Sequence, residues 1–146
     1  MNGLNKFLVA TCLTAAMLVT SAAQAMEIRQ FDKMADRDQS EYVGLLVQGA
    51  EKVLTDEGKA DLAAQVDKLF LTIPAGDKMS LGMTEFEVNL ARVRVVNAKN
   101  VEKTPSAPRL EVEHAMILTL KDNGITLPKS FMHVGDNFKP KHPPQK

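Results

Sequence analysis

Cysteine is all but missing from this chain. There is one, Cys12, so no intrachain disulfide can form, and it sits in a segment the sequence marks for removal. Lys6 supplies a positive charge, Phe7 to Val19 carries none, and Ala23 and Ala25 complete an Ala-x-Ala site. That is the three-part layout of a secretory leader. Its apolar run of about 13 residues falls short of the roughly 20 that a spanning helix needs. A retained anchor is the weighed alternative. Thr11 before Cys12, where a lipid-attachment site wants Gly or Ala, argues against a lipoprotein. Residues 1–25 are therefore expected to be cleaved, leaving Met26 first in a periplasmic or secreted chain. Without Cys12 that chain has no thiol nucleophile and no thiolate metal site.

Excess charge is lacking too. The 18 Lys and Arg balance 18 Asp and Glu, and loss of Lys6 tips the mature chain one unit negative. No basic footprint for nucleic acid or an anionic membrane exists at this balance. Tryptophan is absent, and one Tyr and six Phe leave few platforms for stacking on sugars or bases. No internal repeat is evident. The one biased stretch is Lys139-Pro-Lys-His-Pro-Pro-Gln-Lys146, which reads as a flexible, solvated or polyproline-like tail, 139–146.

What is present, over 26–138, is helical periodicity sufficient for one domain with a real core. The first long helix is expected from about Asp32 to Leu54. Phe31, Ala35, Tyr42, Leu45, Leu46, Gly49 and Val53 share a stripe, widened by Val43, Val47, Ala50 and Leu54, and such a width belongs to a helix covered on more than one side. Asp38 and Asp32 are alternative starts, and Gly58 is free to end the helix at positive φ. A second helix is expected over Lys59–Leu71. A third runs from Thr84 to about Asn100, opened by a capping box in Thr84-Glu-Phe-Glu87. Met83, Phe86, Leu90 and Val93 form one face, and Val88, Ala91 and Val95 a second apolar face opposite. The β-branched run Val93–Val96 offers a competing strand, but the spacing favours helix. A fourth helix spans Pro108–Asp122 and closes at Asn123-Gly124, with Ile125 folding back on it. A single turn follows near Lys129–Val134. The pattern predicts an all-α fold: a compact bundle of about four helices with a short C-terminal helical turn.

Residues that carry chemistry are few. Glu111-x-x-His114 has the spacing of a di-iron motif, but such bundles need two copies plus further glutamates, and His114 projects to the polar side. Met79 and Met83 are too few for a copper site, and Met83 fits the core face. Glu113 falls within the apolar face of its helix, where burial would raise its pKa, although the first helical turn also favours a negative charge. Ser40, Ser80, Ser106 and Ser130 lie in no nucleophile motif, and there is no phosphate loop. No metal and no cofactor is expected. Gly49 stands at the centre of the first stripe, so another helix or a bound partner is expected to come close to the backbone there, the alternative being a small local gap or a helix break near Gln48. Gly49, Tyr42 and Glu113 are the candidate binding residues.

Tyr42-Val-Gly44 and Gly49-Ala50 in a long early helix, with a late Leu127-Pro128 turn, follow an order similar to that of small periplasmic helical immunity proteins, which neutralise cell-wall amidase toxins. That family typically carries cysteines and this mature chain has none, so no site residue is carried over from it. The function expected from the residues is a periplasmic binding or interaction module without catalysis, whose partner is another envelope protein. A small enzyme or ligand carrier with an unrecognised pocket is the alternative, and a toxin-immunity-like protein a further one.

Overall fold

The structure, a computed structural model, describes residues 25–145. The leader reading, residues 1–24 with Cys12 among them, lies outside the described residues. Within them the protein is all-helical. Helix α1 is Ile28–Lys33, α2 Asp36–Asp56, α3 Ala60–Leu71, α4 Leu81–Lys103 and α5 Val112–Asp122, and a 3-10 turn covers Lys129–His133. Helix α2 packs along α3 and α4 along α5; α3 and α4 meet over a smaller area, and the 3-10 turn sits on α2. Tyr42, Leu46, Ala50 and Leu54 of α2, Val66 of α3, Phe86, Leu90 and Val93 of α4, Met116 and Leu120 of α5 and Phe131 of the 3-10 turn close a single core. The run Val93–Val96 is helical, so the strand alternative gives way to packing on Phe86 and Leu90.

Three helix starts differ from the sequence expectation. The expected helix from Asp32 is two helices, because Met34 and Ala35 are extended at ψ 152° and 148°. The bend lets Phe31 and Met34 turn into the core alongside Tyr42. Gln39 closes the break, its side-chain amide donating to the Phe31 carbonyl at 2.7 Å. Asp36 and Asp38 then lie in the first turn of α2, where free amides favour carboxylates.

Helix α4 starts earlier than Thr84. Ser80 is its cap, accepting from the Met83 amide at 3.2 Å. The Thr84 hydroxyl instead donates to the Ser80 carbonyl inside the helix. Helix α5 starts later than Pro108, at Val112, because Asn97 of α4 holds Leu110 extended by donating to its carbonyl and accepting from its amide, at 2.8 and 2.7 Å. The helix ends behave as their sequences suggest. Gly58 and Gly124 take φ of 76° and 78°. Lys59 and Ile125 return their amides to Leu54 and Leu120, both at 2.8 Å, which is the Schellman closure.

Candidate functional site

Glu113 is the second residue of α5, and helical spacing turns it toward the core with Met116 and Leu120. It is 0% exposed. Tyr42 reaches it from α2, also fully buried, and its hydroxyl donates to Glu113 Oε1. The Met26 backbone nitrogen donates to Oε2 at 3.0 Å. Met26 is held there because its carbonyl accepts from the Val112 amide at 2.9 Å, beside an isolated antiparallel bridge between Glu27 and Glu111. Burial pushes the Glu113 carboxyl up to about 7, against the lowering effect of these donors. Burial and the adjacent carboxylate also push the Tyr42 phenol up. Phe31 and Phe138 close over the tyrosine ring, Phe138 edge-on at 5.0 Å between centroids. Both Glu113 oxygens therefore accept from the chain's own donors.

The other acid of interest, Glu111, caps α5. Its side chain accepts from the His114 backbone, and His114 Nδ1 accepts from the Glu111 amide at 2.9 Å. Glu111-x-x-His114 is thus a reciprocal cap. An accepting Nδ1 places the ring proton on Nε2, and burial lowers the His114 pKa, which keeps the ring neutral. No group of three or more His, Cys, Asp or Glu side chains able to hold a metal ion occurs among the described residues.

Gly49 has no room above it. A Cβ built there would meet the side chain of Val134, with Cγ2 at 2.9 Å and Cγ1 closer still. The space expected to take another helix or a bound partner is filled instead by the chain's own turn after the 3-10 helix. Tyr42 and Glu113 thus belong to the interior and share a hydrogen bond, whereas Gly49 is half-buried and receives the turn.

One feature went unread in the sequence. Asp38, also 0% exposed, accepts from the Lys141 and His142 amides at 3.1 and 2.9 Å, and its Oδ1 lies 2.9 Å from His142 Nδ1. The Pro/Lys-rich tail has neither helix nor strand, but it is tied to the start of α2 at this carboxylate. It is tied again where the Gln145 amide donates to the Lys33 carbonyl at 2.7 Å. Burial raises the Asp38 pKa, and the donors from the tail more than offset this and hold it below its ordinary value.

No family model, curated protein or solved structure matches the chain.

A further feature is on the surface. The face of α4 that the sequence marks as apolar and opposite the core is uncovered: Val88 and Val95 are each 53% exposed, and Leu81, at the same spacing, is 51% exposed. Thr84, Ala91 and Ala98, also exposed, fall between them. Leu81, Val88 and Val95 repeat every seven residues with the small residues Thr84, Ala91 and Ala98 three further on, which is heptad spacing. No helix among the described residues is long and apolar enough to cross a membrane.

Proposed function

We propose that the protein is an exported helical interaction module, without a catalytic centre, that binds a helical segment of another envelope protein along the outward face of α4. One observation carries the reading: the seven-residue apolar repeat Leu81, Val88, Val95 runs in the open along a 23-residue helix. Val96 beside it and Leu71, Ile73 and Met79 near its start add further exposed apolar side chains. An apolar stripe with small residues at the intervening positions lets two helix backbones approach closely, and burying it removes apolar area from water at about 25 cal/mol per Å2. The enclosed state of Glu113 and Tyr42 supports a reading without catalysis, since both side chains are fully buried and out of reach of a molecule in solution. Export rests on the leader pattern from Lys6 to Ala25.

The test is a pair of outward substitutions, Val88→Asp and Val95→Asp, in the mature chain. Exposed surface changes away from caps and core alter stability by within about 0.5 kcal/mol, so the melting curve should hold. Cross-linking in envelope extract should lose its adduct. An adduct retained by the folded double variant would overturn the assignment of this face. Chains recovered from the envelope that still contain Lys6 would overturn the cleavage.

A further inference from the structure

We propose that Glu113 and Tyr42 form a receiving site for the α-ammonium group of Met26, generated when the Ala25–Met26 peptide bond is cut, so that removal of the leader completes the fold. The inference rests on the export reading for its trigger, but on the geometry of α2 and α5 for its site.

The chain around Met26 is already docked. Its nitrogen donates to Glu113 Oε2 at 3.0 Å, its carbonyl accepts from Val112, and Ala25 before it is buried at 7% exposure. While the peptide bond is intact, Glu113 has two neutral donors, the Met26 amide and the Tyr42 hydroxyl. No Lys, Arg or His side chain among the described residues bonds to it. The titratable groups around it are Tyr42 from α2, Glu111 from the α5 cap, and Asp136, which acts on Tyr42 and Glu111 from the turn after the 3-10 helix. All of them are neutral or acidic. A buried carboxylate without a counter-charge is costly, and burial in this pocket pushes the Glu113 carboxyl toward its protonated form in the uncut chain. The missing partner is a single cation at the position of the Met26 nitrogen.

Hydrolysis of the bond before Met26 supplies that cation. Water adds across Ala25–Met26 under a leader-removing peptidase, the hydroxyl going to the Ala25 carbonyl carbon and the hydrogen to the Met26 nitrogen. The acid formed on Ala25 ionises, and its proton converts the amine to an ammonium. The neutral hydrogen bond at Oε2 becomes a charge-assisted one, roughly twice as strong, and the Glu113 carboxylate gains its counter-ion without any side chain moving. The Ala-x-Ala pattern ends at Ala25, and the socket on α5, 87 residues downstream of Met26, holds the nitrogen that follows it.

Two chains of defined start, one beginning at Met26 and one retaining Ala25, separate this from export itself, because neither needs to be exported. At pH 7 the chain retaining Ala25 should melt lower by roughly 4 °C or more. Glu113→Gln should lower the melting temperature of the Met26 chain, and leave unchanged or raise that of the Ala25 chain. Equal melting temperatures for the two starts, or the same response to E113Q in both, would overturn the proposal. Should E113Q not fold, the wild-type Met26 chain still decides: its α-amino pKa, read by NMR, should lie above the ordinary range of about 7.7–8.0. A value inside or below that range would overturn the site.

Discussion

Gly44 and Gly49 stand five residues apart in α2 and should respond in opposite senses to the same substitution. Both interrupt a helix of 21 residues, and glycine in a helix interior costs about 1 kcal/mol relative to alanine. At Gly44 a Cβ would meet nothing within 4 Å, so Gly44→Ala should recover that full amount. At Gly49 the same methyl would lie 2.9 Å from Val134 Cγ2 and 3.0 Å from its Cβ, and closer to Cγ1. Valine is stiff at χ1, and even a rotation that turned its Hβ toward Gly49 would leave its Cβ 3.0 Å away, so full relief requires the turn after the 3-10 helix to lift away from α2. Overfilling of a packed site costs about 1–3 kcal/mol, which equals or exceeds the propensity gain. Gly49→Ala should therefore be neutral to destabilising by up to about 2 kcal/mol, and Gly49→Leu worse.

Urea unfolding of the four chains wild type, G44A, G49A and G49A/V134A gives the comparison directly. Val134→Ala removes both γ methyls, so the double variant should regain stability relative to G49A, with a coupling energy of about 0.5–3 kcal/mol expected for residues in contact. If G49A proved as stabilised as G44A, or if V134A did not relieve it, the close approach of this turn to the α2 backbone would be refuted.

Two further perturbations test the buried carboxylates. In the chain that retains Ala25, Glu113 is pushed up to about 7 from an ordinary 4.5; the folded state then binds the proton more tightly than the unfolded one, so stability should fall as pH rises from about 4.5 to about 7. One pKa unit is 1.36 kcal/mol, which sets the fall at up to about 3 kcal/mol; E113Q should flatten the profile, and a flat wild-type profile would contradict the burial. Asp38 is shifted the other way, below its ordinary 3.8, so its hold on the tail should persist above that value and fade as pH falls through the lowered one. Asp38→Ala should leave the Lys141 and His142 amides unprotected in hydrogen exchange at neutral pH, whereas amides already unprotected in the wild type would refute the clasp.

Much of the fold was legible because its signals are local. Gly58 and the Gly124-Ile125 closure follow from backbone freedom at one position and a fold-back one residue later. The stripes of α3 and α5 follow from periodicity alone. The break at Met34-Ala35 was not legible, since Met and Ala are both good helix formers and the bend is set by where Phe31, Met34 and Tyr42 must go. The start of α4 was misplaced for a related reason: Ser80 and Thr84 are both good caps, and only the orientation of their hydroxyls, one accepting from an amide and the other donating to a carbonyl, tells them apart. Pro108 is compatible with a first helical turn, yet Asn97, on another helix, keeps the chain extended to Leu110. The inward direction of Glu113 could be read from its neighbours Met116 and Ile117. Its partners could not, because Tyr42 and Met26 lie far away in sequence and neither carries a motif.

The two buried acids answer a problem that composition poses. The described residues, 25–145, contain no cysteine to fasten the segments that flank the helices, and each is fastened by one carboxylate: Glu113 takes the nitrogen of Met26, and Asp38 takes two amides of the tail. In both cases the donor is mainly backbone, so the fastened segments need little sequence identity of their own. Only the His142 ring adds a side-chain contact at Asp38, while Lys141 contributes its amide there and reaches Glu41 with its ammonium at a loose 3.7 Å. The information for holding a Lys/Pro-rich tail therefore resides in α2 rather than in the tail, which is why the composition of 139–146 gave no sign of it.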